Sequence, residues 1–469
     1  MALGRRATRG RRARIGFSSE ERRAAITLAS IFALRMLGLF MIYPIFAIAA
    51  RRYSGATAAS IGLALGIYGL TQAGLQIPFG IASDRFGRKP LITFGLILFV
   101  VGSIIAALVH SVDGLILGRA VQGGGAVGAV ILALTADLTR AEQRTKAIGI
   151  IGMSIGLSFA LALVVGPLIN GWVGLRGLFW LTAVLGVLAI VVLWVLVPTP
   201  GHIQHHRDAQ TTPKLMMALI RDPQLLRLNA SIFMQHAILA ALFLAVPMLL
   251  KAEMGTGVNL GWMFYLPVLG VAFVLMVPFI IYAETRQHMK GTLLGAVGAI
   301  LLSLAALRRA PAEVWISGII LTVFFTAFTL LEGLLPSLVS KVAPIAAKGT
   351  AMGIYSTSQF FGIFVGAALG GWIDHAAGGR AVILFVLALA VVWWLILLGL
   401  RRPPHYSTRV AAVPEPADPS RLAHELRQLP GVIEAVVVTG ESSVYLKLDR
   451  EKLDEAQLGE VLSPTSGAG

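Results

Sequence analysis

Apolar runs long enough to cross a bilayer recur about twelve times along this chain, near residues 24–50, 58–82, 90–109, 112–138, 147–172, 176–198, 226–250, 258–283, 291–307, 312–338, 350–373 and 378–400. A spanning segment needs about 20 mainly apolar residues, and its backbone amides must find partners inside the protein, so these runs are expected to be helices. Composition agrees, with 57% hydrophobic and only 13% charged residues and a mean hydropathy of +0.80. Arginines between Arg5 and Arg14 and the pair Arg22-Arg23 precede the first run, which contains Arg35 and continues well beyond it. A signal peptide has a shorter apolar core followed by a small-residue cleavage site, so the first run is read as a retained span.

A net charge of +16 raises the question of nucleic acid, and the distribution of the charge argues against it. Bases collect at the N-terminus and in alternate loops: Arg85/Arg88/Lys89, Arg140/Arg144/Lys146, Arg207/Lys214/Arg221/Arg227, Arg286/Lys290, Lys341/Lys348 and Arg401/Arg402. Arg51-Arg52 and Arg308-Arg309 depart from the trend. The pattern is positive-inside, with both termini expected in the cytoplasm and the lipid bilayer as the partner. There is no cysteine, hence no disulfide and no thiolate metal site. No nucleophile–base set, phosphate-cradling loop or metal-ligand spacing suggests an enzyme.

The chain repeats itself. At an offset of 200, Pro78-Phe79 and Asp84 overlay Pro278-Phe279 and Glu284, and Gly166, Gly171 and Trp172 overlay Gly366, Gly371 and Trp372. Two six-helix halves are expected, 1–198 and 226–402, joined by a basic cytoplasmic linker, 199–225. Such halves place a binding cavity at their interface near the bilayer midplane and predict alternating access.

Between the second and third runs lies Gly80-Ile81-Ala82-Ser83-Asp84-Arg85-Phe86-Gly87-Arg88-Lys89-Pro90. So tight a turn needs glycine. One carboxylate among three bases at the membrane edge can form charge-assisted hydrogen bonds to a neighbouring helix end and latch one conformation. The plainer reading is a solvated basic loop that fixes topology.

Gly80 to Lys89 resembles the loop 2–3 signature of the major facilitator superfamily, with Ala82 where that pattern has Leu. Leu115 to Gly123, with Arg119, Gln122 and Gly123, resembles its fourth-helix signature. Ala162 to Gly171, with Gly166-Pro167 and Gly171, resembles the fifth-helix signature of its proton-coupled exporters, although Ala162 and Asn170 replace glycines. With Leu34-Arg35-Met36-Leu37-Gly38, Leu331-Glu332 and an appended small domain, the resemblance is to the drug/proton antiporter branch and spans residues 20 to 402. It implies an all-α membrane protein of twelve helices in two pseudo-symmetric halves. It also implies efflux of small hydrophobic or amphipathic compounds, driven by the proton gradient with no cofactor, at the inner membrane. By resemblance Asp137 joins the Asp84–Arg88 latch, and Arg119 serves proton coupling or contacts carbonyls of the first helix.

Arg35 lies mid-way along the first run, where a charge costs roughly 2.5–3.5 kcal/mol and so implies a cavity-facing position with a partner. Glu332, inside the tenth run, is the candidate proton carrier; an Arg35–Glu332 contact would have to cross the interface between halves. The competing reading is a permanent ion pair that holds the bundle together. His236 could titrate near neutral pH, or simply pack. A kinked helix at Gly166-Pro167 could seal the cavity against proton leak, or serve packing alone. Gln122, Asn229, Gln235, Gln359 and Phe360-Phe361 are cavity candidates, and no cluster of cavity bases recommends an anion carrier. A mostly apolar cavity with scattered polar groups suits a hydrophobic or amphipathic small molecule. Proton-coupled nutrient uptake, or sensing through the C-terminal segment, stays open as an alternative.

After Arg401-Arg402-Pro403-Pro404 the composition changes. Residues 405–418 read as a linker, with Tyr406 to Val413 a possible first strand. A helix is expected at Ser420–Leu429, strands at Val432–Val438 and Ser443–Leu448, a turn at Thr439–Ser442, and a helix from Glu451 to Leu462 capped by Asp449. This resembles a truncated ferredoxin-like domain within 405–469. It is more acidic than the membrane body and is expected to dock on the basic cytoplasmic loops or to self-associate.

Overall fold

The computed structural model describes residues 17–198, 213–254, 261–286, 288–309, 313–344, 347–401, 406–412, 419–438, 443–449 and 452–462. The first pass is α1 (Ser19–Phe40) continued by α2 (Tyr43–Ala49), with Pro44 at the start of the second piece. A capping box opens it: Glu21 N donates to Ser18 Oγ (3.1 Å) and Ser18 N donates to Glu21 Oε2 (2.9 Å), satisfying two backbone N–H groups at the helix start. Next come α3 (Ala58–Phe86) and α4 (Arg88–Leu108), separated only by Gly87 at φ 90°. The fourth pass is split into α5 (Val112–Gly123) and α6 (Gly128–Asp137).

One helix, α7 (Ala141–Leu196), runs for 56 residues. Straight, it would be about 84 Å long at 1.5 Å per residue, more than twice the roughly 30 Å of bilayer hydrocarbon. It turns at Gly174, whose φ of 66° and ψ of −178° only glycine adopts readily. Its two arms then supply the fifth and sixth passes. Ser158 Oγ donates to Ala33 O on the first arm, and Thr182 Oγ1 donates to Gly38 O on the second, so both arms lie along α1. The second half follows as α8 (Pro213–Arg221), α9 (Pro223–Met254), α10 (Gly261–Thr285), α11 (Met289–Arg309), α12 (Val314–Val342), α13 (Lys348–Ala377) and α14 (Gly379–Leu398). Eleven continuous helical stretches among the described residues are long and apolar enough to cross a membrane, and the turn in α7 makes twelve passes of them. The expected linker 199–225 differs in its later part, which is the helix α8 and the start of α9; residues 199–212 lie outside the described residues. Phe94, Trp172, Val274 and Trp315 stand exposed on the outside of the bundle, where they face lipid rather than water.

The repeated glycines do the same work in each half. A methyl on Gly166 of α7 would overlap the Met41 carbonyl beside α1, and one on Gly366 of α13 would overlap the Ala237 carbonyl of α9. Where the halves meet, α3 packs on α13 so closely that methyls on Gly62 and Gly69 would overlap the carbonyls of Ala367 and Phe360. At the other end of these two helices, Gly74, Gly349 and Gly353 have nothing within 4 Å of an added methyl. The halves therefore clasp through α3 and α13 at the end away from the 80–89 loop.

The tail is a three-stranded antiparallel sheet of order β1-β3-β2: β1 (Tyr406–Ala412), β2 (Val432–Val438) and β3 (Ser443–Asp449), with α15 (Pro419–Gln428) and α16 (Glu455–Leu462). Leu426, Ala435, Val444, Leu446 and Leu458 form its own core. The possible first strand at Tyr406 to Val413 is present as 406–412, inside the stretch otherwise read as linker: its backbone pairs with β3 from Tyr406↔Asp449 to Ala412↔Ser443. One sequence expectation changes. The last helix starts at Glu455, and its cap is Asp454, whose Oδ1 accepts from Ala456 N (3.0 Å) and Gln457 N (3.2 Å); Asp449 is held in the sheet. The turn expected at Thr439–Ser442 lies outside the described residues.

Candidate functional site

Glu332 sits in the middle of α12, with a side chain 26% exposed. Among the described residues both hydrogen bonds to its carboxylate come from side-chain amides: Gln235 Nε2 on α9 donates to Oε2 at 2.8 Å, and Gln359 Nε2 on α13 donates to Oε1 at 3.3 Å. The same Gln359 nitrogen lies 2.8 Å from His236 Nε2, while His236 Nδ1 is 3.2 Å from the Ile232 carbonyl. His236 Nε2 is 3.9 Å from Glu332. A carboxyl held by neutral amides beside one imidazole can change protonation without leaving an orphaned arginine or lysine, which a permanent ion pair could not do. Gln235, His236, Gln359 and Glu332 thus form one group on three helices of the second half.

Arg35 is not part of it. Its Nη2 donates to Tyr68 Oη (2.7 Å), Gln72 Oε1 (2.6 Å) and the Gly125 carbonyl (3.0 Å), all within the first half. Arg119 Nη1 donates to Gln122 Oε1 (2.5 Å), and its guanidinium lies 4.8 Å from the centre of the Tyr68 ring. The carbonyls of α1 are not among its contacts in the described residues. Gln122 Nε2 in turn donates to Ser103 Oγ (2.8 Å). Arg35, Arg119 and Gln122 are all fully buried. α1 and α5 bring both guanidiniums onto Tyr68 in the buried interior of the first half. Tyr68, Gln72 and Tyr43 were missed as members. The signal was available: Gln72 and Gln76, four residues apart in an apolar run, share one helix face, and Gln72 Nε2 donates to Gln76 Oε1 at 3.1 Å.

The latch residues assemble at one end of the first half. Arg88 Nη1 meets Asp84 Oδ1 (2.5 Å) and Ser83 Oγ (2.5 Å), and Arg88 Nε donates to Asp137 Oδ2 (3.0 Å). Lys89 Nζ donates to the Val197 carbonyl at the end of α7 (2.5 Å). Arg85 reaches over the exposed Phe86 ring, and a methyl on Gly80 would meet only Ala129 of α6. Each of these contacts stays within the first half.

The other candidates scatter. Asn229 is buried, and its Oδ1 has no partner among the described residues. Phe360 packs 6.3 Å from Tyr68 across the interface. Pro167 lies inside α7 against Gly261, and Gly171 is exposed. Among the described residues no group of three or more His, Cys, Asp or Glu is placed to hold a metal ion.

A polar contact joins the tail to the membrane body. Lys447 of β3, only 6% exposed, donates from Nζ to the carbonyls of Val342 (3.2 Å) and Ala343 (3.1 Å) at the end of α12. Terminal carbonyls have no partner inside a helix, and the negative end of the helix dipole favours a cation there. Burial pushes the Lys447 ammonium below the usual lysine range, and Glu434 acts against that shift.

Residues 28–367 and 290–439 match the family model described as Major Facilitator Superfamily. The chain is 42% identical over 444 residues to the inner membrane transport protein YajR of Escherichia coli (strain K12), covering 94% of this chain and 97% of that protein. It is 30% identical over 377 residues to the multidrug resistance protein MdtH of Aeromonas salmonicida (strain A449), covering 78% of this chain and 89% of that protein. Its fold is similar to that of a bacterial homologue of the human lysosomal transporter Spinster, solved in an inward-facing and occupied conformation. There the TM-score is 0.68 at 14% identity, covering 83% of this chain and 98% of the other. A D-xylose–proton symporter gives a TM-score of 0.64 at 16% identity, covering 81% and 98% respectively.

Proposed function

The chain belongs to the major facilitator superfamily of membrane transporters, and on that premise we propose that it exports small hydrophobic or amphipathic compounds in exchange for protons. It does so from the inner membrane with both termini cytoplasmic. Transporters of this family typically need no cofactor, and the work is transport rather than catalysis. The observation that carries the proton-coupled reading is Glu332, a mid-membrane carboxyl bonded to two neutral amides and no guanidinium. Its side chain is partly exposed, as a group that exchanges protons must be at some stage of the cycle. The partial fifth-helix signature and a relative named for multidrug resistance support the outward direction. With the termini inside, the α3–α13 clasp faces outward, an arrangement suited to loading from the cytoplasm. The tail domain is read as docked on the cytoplasmic end of α12 through Lys447.

Inside-out vesicles with an imposed pH gradient test this. Gradient dissipation is followed across cationic, neutral and anionic amphiphiles for wild type and Glu332→Gln. Solute-triggered proton release is expected in wild type and lost in the variant. Full proton-linked export by Glu332→Gln would remove Glu332 from the proton path, and silence of the wild type across the panel would count against export.

A further inference from the structure

Two guanidiniums share the interior of the first half, and no ion pair among the described residues joins either of them to a carboxylate. Arg35 and Arg119 are both 0% exposed and both touch Tyr68, one through its hydroxyl and one through its ring. Among the described residues four of their nitrogens have no acceptor: Arg35 Nε and Nη1, and Arg119 Nε and Nη2. The hydroxyl of Tyr43, which lies within electrostatic reach of Arg119, is likewise without a partner among the described residues. Buried polar groups are satisfied in the great majority of cases, so four such nitrogens on two guanidiniums around one tyrosine, with an unpartnered hydroxyl that feels their charge, require an explanation. The two cations held there without a counter-charge are more costly than any of the missing hydrogen bonds. A bound water would accept hydrogen bonds but would neutralise nothing.

We propose that Arg35, Arg119 and the Tyr43 hydroxyl form a binding site for a singly charged anionic group, either a small inorganic anion or the acidic group of a transported solute. The two guanidiniums supply charge and directed N–H donors, a combination that favours carboxylate-like or halide ligands over neutral ones. Gln122 and Gln72 fix the guanidiniums by accepting from their other nitrogens. Access runs through the interface between the halves. Tyr68 abuts Phe360 (6.3 Å) and Tyr43 abuts Phe243 (5.4 Å), both of the second half, so the rings that cover the cluster separate when the halves part. The site deepens the transport reading by naming a substrate chemistry, yet its test is a binding equilibrium that needs neither gradient nor turnover.

The full-length protein is purified in a neutral detergent and a low-salt zwitterionic buffer, and thermal unfolding is followed by tryptophan fluorescence. Sodium chloride is titrated in one arm and octanoate in the other, with octanol and octyltrimethylammonium as controls. At least one anion is expected to raise the unfolding temperature saturably. That response should vanish in Arg35→Gln and Arg119→Gln. In Tyr43→Phe, half-saturation should weaken by about tenfold, corresponding to one hydrogen bond to a charged group. A chloride response alone identifies a resident inorganic counter-ion; an octanoate response alone identifies the acidic group of a solute. Tyr43→Phe removes no hydrogen bond within the described residues, so it decides the matter if the arginine variants do not fold. No anion response, equal responses to the controls, or a wild-type response in Tyr43→Phe would overturn the site. Loss of proton coupling in Glu332→Gln bears only on the transport reading.

Discussion

Asp137 and Asp84 both hold Arg88, and their surroundings give the two contacts different weight. Asp137 has a side chain 8% exposed and holds Arg88 by a charged hydrogen bond, whereas Asp84, which holds the same arginine, is 61% exposed. An exposed pair contributes about 0–1 kcal/mol, and a charged hydrogen bond removed from a mostly buried site costs about 1.5–3 kcal/mol. Asp137→Asn is therefore expected to lower the unfolding temperature of the purified protein clearly, and Asp84→Asn hardly at all. Equal effects would mean that the latch does not depend on burial. Arg35 shows where reading from sequence stops. Its mid-span position and its need for a partner were legible, because both follow from one residue in one apolar run. Its actual partners lie 33, 37 and 90 residues away in sequence, and no spacing rule selects them over Glu332.

The twelve passes were legible because the length of an apolar run is a one-dimensional property. So was the turn between the arms of α7, since no single helix of that length fits a bilayer. The strand at 406–412 was harder to place, because its pairing partner lies in β3 and a Pro-rich neighbourhood argues against structure. Helix α12 has a device at its middle and another at its end. Lys447→Met removes both hydrogen bonds to its terminal carbonyls. Spin labels at Lys341→Cys and Gln457→Cys should then lose their short-distance population. The pH dependence has a definite sign. Burial lowers the Lys447 proton affinity below that of free lysine at 10.5, so the attached tail binds fewer protons than the detached one. The short-distance population of the otherwise wild-type protein is thus expected to grow as pH rises toward 10.5 and to shrink as it falls.

At the scale of the whole molecule, the clasp between α3 and α13 depends on glycines that bring two backbones together. Gly69→Val would force its side chain against the Phe360 carbonyl. Overpacking of this kind costs about 1–3 kcal/mol, and such an energy moves a two-state ratio by roughly 5- to 150-fold. The chain has no cysteine, so one thiol at Ala367→Cys, buried in the clasp, reports the change. Its labelling by an impermeant maleimide from the outer side is expected to rise in Gly69→Val.

The hold of Lys447 on the end of α12 has a further thermodynamic consequence. The helix it grips is the helix that bears Glu332, ten residues from Val342, or about 15 Å along the axis. If the position of that helix differs between the two faces of the transport cycle, the tail cannot be indifferent to which face is open. Any ligand of the tail that prefers one state then alters the affinity for the transported solute. The solute must alter the tail's affinity for its ligand by the same factor. Measured from either end, one protein would report on the other side of its own membrane.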